Sequence, residues 1–352
     1  MEEEEGGEHP FFHYYGMLVH QQNMLQDYVR TGAYHTAVMH NASDFLGATV
    51  LDVGTGTGIL AMFAAQAGAR KVYAVEASEM AKIAEKLVLA NMLDSTVQVI
   101  QAKVEEVSLP EQVDVVVSEP MGFLLVHERM LESFVVARNR FLKPGGKMFP
   151  SRGRIYIAPF TDPILFAEQE AKVAFWSSTD FYGVNLSVLQ ADAREQHFGQ
   201  PVIGSIDPTS LLTCHGVADA ATHDVDFATC SVEDLQRIEI PFEFVVARTA
   251  LLHGLACWFD VMFDGSGNTT CLSTGPSDPA THWYQCRLLV QEPLAVNAGQ
   301  RIGGKLCMSA NEKYSYDLIL TVSILGTAEP AVTRTSRINL QDQMYAYIAG
   351  NN

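Results

Sequence analysis

Two glutamates, Glu119 and Glu128, stand nine residues apart in the segment SEPMGFLLVHERM. On a helix, or on a strand, an interval of nine residues would put the two carboxylates on opposite faces. Pro120 keeps a helix from running through Glu119, and Gly122 permits a turn, so a loop that doubles back is physically plausible. Such a loop would bring the carboxylates together, where the pair could hold a planar cation. Two separate surface glutamates are the alternative interpretation.

A second candidate site begins at Val50, where the strand-like run VLDV breaks into alternate glycines, among them Gly54 and Gly56, ahead of an apolar helix. Glycines let the backbone turn tightly and approach a ligand at the end of a strand. Glu76 ends the next strand, where doubly wound folds place a carboxylate that binds ribose hydroxyls. The GxGxG spacing, and Asp52 beside the position of a pyrophosphate, disfavour a dinucleotide. The pattern therefore predicts S-adenosylmethionine, which has no phosphate; a tight turn without a ligand would explain Gly54 alone but not the whole set.

The elements around these residues alternate between short β-rich runs and helical patterns from Val50 to Pro150. This alternation predicts a parallel α/β sheet. After Pro150, strands follow one another, which predicts a mainly β unit. We expect an acidic flexible tail at 1–10, amino-terminal helices with the cofactor-binding domain at 11–149, and a substrate domain at 150–352. Residues 162–198 are helix-favouring and rich in aromatics that look exposed, namely Phe166, Phe175, Trp176, Phe181 and Tyr182.

Composition limits the classes of partner. The chain has 352 residues, with 23 Lys and Arg against 41 Asp and Glu, so its formal charge of −18 repels nucleic acid and anionic lipid and favours a basic protein partner. No apolar run approaches the ~18 residues that a membrane span needs, and the first Lys or Arg is Arg30, too late for a signal peptide. We expect an intracellular protein. Six cysteines without a close pair predict neither a metal site nor a disulfide framework.

From Phe11 onward the sequence resembles the protein arginine methyltransferases, and within them most closely the coactivator-associated, type I subclass. The motifs that carry the resemblance are FFHYY at 11–15, VLDVGTGTG at 50–58, AVEA at 74–77, KVEE at 103–106, the double-glutamate segment, and THW at 281–283. The resemblance implies a Rossmann-like class I S-adenosylmethionine methyltransferase domain, followed by a β-barrel-like domain with a helical dimerisation arm. The additional domain and long tail of that subclass are absent from this sequence, so it is interpreted as a catalytic core or a compact relative.

The resemblance also implies a role for individual residues. An amino-terminal helix containing Phe12 and Tyr15 would close over the cofactor, and Gln21 and Arg30 would hold its methionine end. The remaining cofactor contacts would come from Gly54, Gly56, Glu76, Glu105 and Ser133. The candidate catalytic residues are Tyr15, Met24, Asp27, Glu119, Glu128, Met130 and His282. No metal is implied.

In the implied reaction, Glu119 and Glu128 would orient the guanidinium of a protein arginine, and His282, paired with Asp27, would accept its proton. Met24 and Met130 would flank the reacting nitrogen, as in type I enzymes, which produce monomethylarginine and then asymmetric dimethylarginine. Ordinary core packing is the alternative for the methionines, and a structural role is the alternative for His282.

The expected substrates are basic tails of histones or RNA-binding proteins, and the expected locations are the nucleus and the cytoplasm. The expected assembly is a homodimer made by the arm at 162–198. An inactive scaffold that binds arginine-rich tails, and a small-molecule methyltransferase or nicotinamide enzyme, are the competing hypotheses. Phe123 and His127 stand where the subclass has tyrosine and asparagine, which puts substrate preference in question. Thr55 replaces a cysteine frequent in the glycine loop and is expected to be harmless.

Overall fold

The computed structural model describes residues 10–326 and 332–346, with side chains from His13 onward. The predicted acidic tail therefore lies outside the described residues, apart from Pro10. The backbone of Phe12 belongs to a helix, but the predicted contact of its side chain with a cofactor falls outside the description.

Four helices precede the first sheet: α1 (Pro10–Tyr15), α2 (Leu18–Gln26), α3 (Tyr28–His40) and α4 (Ala42–Phe45). Helix α3 begins where the side chain of Asp27 accepts a hydrogen bond from the backbone N–H of Arg30, which satisfies one of the free donors of the first turn. Tyr34, Ala37 and Val38 recur at helical spacing and are fully buried, so one face of α3 packs into the core.

A five-stranded parallel sheet follows, as the sequence predicts. Its strands are β1 (Thr49–Val53), β2 (Lys71–Glu76), β3 (Val97–Gln101), β4 (Val113–Ser118) and β5 (Leu142–Phe149), and the helices between them are α5 (Ile59–Gln66), α6 (Met80–Ala90) and α7 (Met130–Phe141). The strand order is β3-β2-β1-β4-β5. Because chain order reverses between β1 and β4, a crevice opens at their carboxyl ends, where open α/β sheets bind ligands.

Strand β5 is irregular. It begins directly after α7 and includes the Pro-Gly-Gly segment, because Val113 pairs with Leu142 whereas Val115 pairs with Lys147. Residues 143–146 therefore bulge out of the ladder, and Gly145 adopts a positive φ of 77°.

The second unit is mainly antiparallel. Its strands are β6 (Arg152–Phe160), β7 (Val202–Gly204), β8 (Ala221–Asp226), β9 (Arg237–Val245), β10 (Ala250–Asp264), β11 (Thr269–Ser273), β12 (Gln285–Val296), β13 (Arg301–Ala310), β14 (Tyr316–Ile324), β15 (Thr333–Asn339) and β16 (Met344–Tyr345). Its helices are α8 (Pro163–Phe175), α9 (Gln190–Phe198) and α10 (Val232–Gln236). The sheets run β16-β7-β12-β10-β6-β8, with β11 on β10, and β15-β14-β13-β9. Contacts of β8 with β9 and of β12 with β15 join the two sheets around a shared core, which gives the expected barrel-like arrangement.

The segment at 162–198 forms helices α8 and α9, which pack against each other. Asp162 caps α8 by accepting a hydrogen bond from the backbone N–H of Leu165. Two of the aromatics expected to be exposed, Phe166 and Trp176, are half-buried. The ring of Phe166 packs on Phe198 at 5.2 Å and on His253 at 5.0 Å between centroids, and the ring of Trp176 packs on Phe175 at 5.4 Å. Exposed apolar side chains remain at the tip of the segment, including Phe175, Phe181, Tyr182, Val184 and Val188.

Candidate functional site

The double-glutamate segment forms a returning loop at the carboxyl end of β4. Leu124, Leu125 and Glu128 adopt positive φ values of 54°, 71° and 73°, and the N–H of Gly122 donates to the carbonyl of Leu125. A Cβ at position 122 would lie 2.2 Å from the carbonyl oxygen of His127, so only glycine allows the two limbs of the loop to approach this closely. The loop brings Glu119 and Glu128 close enough for the charge of Glu119 to raise the pKa of Glu128.

Glu119 is paired with Arg30 of helix α3. Both Nε and Nη2 of Arg30 donate to Oε2 of Glu119, at 3.1 and 2.9 Å. The two side chains are only 7% and 8% exposed, so their charges interact with little screening by water. The sequence did not predict this pair, because Arg30 was expected to face the cofactor alone.

Glu128 is paired with a neutral donor. The hydroxyl of Tyr15 in α1 lies 2.8 Å from Oε1 and 2.7 Å from Oε2 of Glu128. Burial raises the pKa of Glu128 to about 7; the hydrogen bond from Tyr15 opposes this rise, and the charge of Glu119 adds to it. Desolvation beside this carboxylate raises the pKa of the half-buried Tyr15 well above its ordinary value. Glu128 is therefore poised between its neutral and ionised forms near neutral pH.

His282 and Asp27 meet although 255 residues separate them. Oδ2 of Asp27 lies 2.7 Å from Nδ1 of His282 and 2.9 Å from its backbone nitrogen. Burial would raise the pKa of Asp27, but hydrogen bonds from His282 and from the N–H of Arg30 outweigh burial and lower it. The ionised Asp27 holds the proton of a neutral His282 on Nδ1 and leaves Nε2 as the basic nitrogen. Next along the chain, Trp283 donates from Nε1 to the carbonyl of Met121 at 3.1 Å, which ties this motif to the glutamate loop.

The glycine loop at 54–58, which we call the glycine cradle, has a backbone conformation that side chains would obstruct. Gly54 and Gly56 have φ values of 65° and 56°, and a Cβ at Gly54 would lie 2.1 Å from the terminal methyl of Met130. A Cβ at Gly56 would lie 2.7 Å from the amide oxygen of Gln21, whose amide nitrogen donates to the carbonyl of Tyr15. A side chain at Gly54 would thus collide with Met130 of α7, and one at Gly56 would collide with Gln21 of α2. The predicted cofactor residues Gln21, Gly54 and Gly56 lie together.

Glu76 lies beside the glycine loop, as its place at the end of β2 predicts. Its two oxygens accept hydrogen bonds from the backbone N–H groups of Gly56 and Ser78, both at 2.9 Å. A carboxylate has about four lone-pair sites, so acceptor capacity remains for ribose hydroxyls. Asp52 is fully buried nearby, and burial raises its pKa to about 7. The carboxylate of Glu76 beside the loop fits the ribose of an adenosine ligand. A partly neutral Asp52 repels phosphate less than a charged one, so it is the GxGxG spacing that disfavours a dinucleotide.

The remaining predicted site residues are Glu105, Ser133 and the two methionines, Met24 and Met130. Ser133 in α7 donates to Glu105 at 2.6 Å in an exposed hydrogen bond. Met130 begins α7 directly after the glutamate loop, and Met24 lies in α2, where its carbonyl contacts the guanidinium of Arg30 at 3.5 Å. Within residues 10–326 and 332–346 no group of three or more His, Cys, Asp or Glu side chains is placed to hold a metal. Over the same residues, no helix is long and apolar enough to cross a membrane.

Comparisons with known proteins agree with this architecture. Residues 50–146 match the family model of a methyltransferase domain, and residues 151–324 match that of the arginine methyltransferase oligomerization subdomain. A probable histone-arginine methyltransferase CARM1 of Oryza sativa subsp. indica is 51% identical over 342 residues, which are 95% of this chain and 64% of that protein. The histone-arginine methyltransferase CARMER of Aedes aegypti is 47% identical over 96% of this chain and 55% of that protein. This chain thus spans less than two thirds of these curated relatives.

Two solved structures align with this chain over nearly the full length of both chains. Protein arginine methyltransferase 10 of Arabidopsis thaliana superposes with a TM-score of 0.83 at 35% identity, over 93% of this chain and 99% of that one. A PRMT1 enzyme-prozyme heterotetrameric complex with AdoHcy from Trypanosoma brucei superposes with a TM-score of 0.81 at 31% identity, over 92% of this chain and 99% of that one. With the returning glutamate loop, the glycine cradle and the two fold units all in place, the chain belongs to the protein arginine methyltransferase family.

Proposed function

We propose that this protein transfers methyl groups from S-adenosylmethionine to guanidinium nitrogens of protein arginines. The observation that carries the proposal is the convergence of Glu119 and Glu128 at the carboxyl end of β4, next to the glycine loop at the end of β1. A guanidinium is planar and offers five N–H donors, which two carboxylates can engage together. S-adenosylmethionine, when bound, supplies an electrophilic methyl group on a sulfonium.

Residues of the glycine cradle would hold this cofactor. Glu76 would accept hydrogen bonds from the ribose, while Glu105 and Ser133 would lie at the adenine. Arg30 uses only some of its N–H donors on Glu119 and Met24, so the same guanidinium can also bind the carboxylate of the methionine end. We propose accordingly that 11–149 is the cofactor-binding domain, and that 150–352 is the substrate domain with a dimerisation arm at 162–198.

In the proposed reaction, the carboxylates of Glu119 and Glu128 would activate the guanidinium of the substrate. A protonated guanidinium is a poor nucleophile because its lone pairs are delocalised. Glu119 and Glu128 would draw the positive charge toward the nitrogens that do not react and leave electron density on the nitrogen that does. When that nitrogen takes the methyl group, the bond from the methyl carbon to sulfur would break and S-adenosylhomocysteine would leave as a neutral thioether. The proton on the methylated nitrogen would become acidic, and Nε2 of His282 would accept it while Asp27 stabilises the imidazolium.

The substrates that we propose are arginine-rich basic tails, such as those of histones or RNA-binding proteins. The formal charge of −18 favours such a partner, and the names of the curated relatives specify histone-arginine methylation. Histone substrates imply work in the nucleus; a cytoplasmic fraction stays a prediction of the sequence resemblance. Met130, whose terminal methyl lies against Gly54, and Met24 of α2 would flank the reacting nitrogen and give the type I products, monomethylarginine followed by asymmetric dimethylarginine.

The test is transfer of a labelled methyl group from S-adenosylmethionine to a histone tail and to a glycine-arginine peptide, with hydrolysis and chromatography of the products. We expect monomethylarginine and asymmetric dimethylarginine, and we expect Glu128→Gln to abolish most of both. Symmetric dimethylarginine would refute the type I assignment. Tight binding of cofactor and peptide without any transfer would show instead that the protein is a scaffold.

A further inference from the structure

His127, the residue before Glu128, connects the glutamate loop to the carboxyl-terminal part of the chain. Its Nε2 lies 3.0 Å from the amide nitrogen of Gln343, and its Nδ1 lies 3.0 Å from the hydroxyl of Ser315. The same amide nitrogen of Gln343 donates to the carbonyl of Leu340 at 2.6 Å, which fixes the orientation of the amide. In the opposite orientation, the amide oxygen of Gln343 would face the carbonyl oxygen of Leu340, and no proton would lie between the two oxygens.

This arrangement defines the protonation of His127. Because an amide nitrogen only donates, Nε2 of His127 must accept, and the imidazole is neutral with its proton on Nδ1. That proton is then directed at Ser315, which is fully buried. Burial lowers the pKa of His127 to about 4, in agreement with a neutral ring at physiological pH. The ring thus uses both nitrogens to join β4's loop to two segments more than 180 residues away.

The residue after Glu128 is fastened to the same region. Arg129 donates from Nη1 to the carbonyl of Asn311 at 2.7 Å, and Asn311 and Ser315 bond to each other across the turn between β13 and β14. Glu128 therefore stands between two anchored neighbours, with its own backbone at a φ of 73°. That conformation is costly for a residue with a side chain, and it persists only where the surroundings enforce it.

We propose that His127 is a positioning residue for Glu128, and that Gln343, through His127, makes the segment 340–346 part of the machinery that aims this carboxylate. The inference rests on the proposed function for its kinetic consequence. Loss of the contact with Gln343 would let one neighbour of Glu128 move while the contact of Glu128 with Tyr15 remains. A displacement of a catalytic group by about 1 Å can lower a rate by up to about a hundredfold.

The test is a double-mutant cycle in turnover with Gln343→Met, His127→Phe and the double variant. Each single variant should lower kcat by about tenfold or more, while the Kd for S-adenosylmethionine stays within about twofold. The double variant should be no slower than His127→Phe, because both substitutions remove the same contact, the hydrogen bond between Gln343 and His127. His127→Gln, whose amide oxygen can reach the place of Nε2, should recover most of the turnover. Gln236→Met, at an exposed glutamine of α10, is the matched control and should turn over like the wild type.

Hydrogen exchange of the loop amides provides a readout that does not depend on activity. Gln343→Met should speed exchange at residues 122–129, and Gln236→Met should not. If the wild type transfers no methyl group, the proposed function fails, and the exchange comparison still decides whether Gln343 orders the loop. Unchanged kcat with unchanged exchange in Gln343→Met would overturn the inference, as would losses that multiply in the double variant. A lower Tm with a normal kcat would also overturn it, since that is the signature of a purely structural contact.

Discussion

Each of the two loop glutamates is already engaged by a donor from the amino-terminal helices, but by donors of different charge. Arg30 gives Glu119 a full positive charge, whereas Tyr15 gives Glu128 only a hydroxyl. The carboxylate without a cation is the one whose pKa burial raises to about 7. Glu128 is therefore the member of the pair with most to gain from an arginine substrate, since the guanidinium would supply the missing charge.

Glu128→Gln should separate chemistry from cofactor binding. The substitution keeps the size of the side chain and one acceptor for Tyr15 but removes the charge that stabilises the transition state. We expect turnover to fall by about 10²- to 10⁴-fold, with little change in the Kd for S-adenosylmethionine. Steady-state kinetics with calorimetric titration would measure both. If only cofactor affinity suffered, Glu128 would belong to the other half of the site.

Glu76→Ala should give the opposite result. Loss of a hydrogen bond to a charged group costs about 1.5–3 kcal/mol, so cofactor affinity should fall by roughly ten- to a hundredfold and excess cofactor should recover much of the rate. A turnover number that stays low at saturating cofactor would contradict the assignment. The glutamates at 76 and 128 thus serve as controls for each other.

The raised pKa of Glu128 predicts a pH dependence with a definite sign. Below about pH 7 the carboxyl group is protonated and neutral, so it attracts a guanidinium weakly. At saturating cofactor, kcat/KM for an arginine peptide should fall about tenfold per pH unit below that value, and Glu128→Gln should lack this limb. Asp52 also has a pKa of about 7, so Asp52→Asn is the control, and it should retain the limb. The profile should be measured from pH 5.5 to pH 8, about one and a half units below and one unit above the pKa of Glu128. A flat wild-type profile over this range would refute the raised pKa.

At the scale of elements, one asparagine joins helix α3 to the hairpin between β10 and β11. Asn41 is fully buried; its amide nitrogen donates to the carbonyls of Ala37 and Asn268, and its oxygen accepts from the N–H groups of Gly267 and Asn268. The first turn of the same helix carries Arg30 and follows Asp27. The asparagine thus fastens the helix that delivers two site residues to the sheet of the second unit.

Asn41→Ala should destabilise the protein by about 3 kcal/mol, because it removes four hydrogen bonds of a fully buried side chain, each worth about 0.5–1.5 kcal/mol. Denaturant unfolding would measure the change, provided that the transition is two-state. Asn91→Ala is the matched control, since Asn91 also donates to a carbonyl at a helix end but is exposed; it should cost under about 1 kcal/mol. Equal losses in the two variants would contradict the role of Asn41.

At the scale of the whole molecule, the tip of the arm between α8 and α9 exposes aromatic and aliphatic side chains together, which a soluble monomer rarely does. The N-cap residue of α2, Met17, and its first two residues, Leu18 and Val19, expose a second apolar group. The resemblance to the family implies a head-to-tail homodimer in which each arm braces the partner's amino-terminal helices. Such a dimer would cover both groups of residues and support the helices that carry Tyr15 and Gln21.

Phe175→Ala with Trp176→Ala should shift the protein toward monomer and weaken cofactor binding. Light scattering and sedimentation at micromolar concentration would measure the first effect, and titration with cofactor the second. Leu89→Ala, an exposed leucine of α6 outside the arm, is the control and should change neither. A native protein that is monomeric and fully active at this concentration would refute the proposed dimer.

The amino-acid sequence by itself determined the local structure around the site. Buried β-branched runs such as VLDV and VDVVVS form the central strands, and the glycines after the first of them form the positive-φ loop that their type predicts. Pro120 and Gly122 made a loop that doubles back plausible, and the cofactor loop upstream favoured it over two separate surface glutamates. These features depend on residues that are neighbours in the chain, so residue types and their spacing are sufficient to predict them. The Pro-Gly-Gly bulge in β5 and the partial burial of Phe166 were not predicted, because the bulge depends on the neighbouring strand and the burial depends on what packs against α8.

Only the tertiary structure decided which group faces which carboxylate. Arg30 meets Glu119 across 89 residues, Tyr15 meets Glu128 across 113, and Gln343 meets His127 across 216. Periodicity fixes the face of an element but not its long-range partner, because many packings satisfy the same pattern. The pKa of Glu128 likewise depends on burial and on the charge of Glu119, which exist only once the loop has folded beneath the amino-terminal helices.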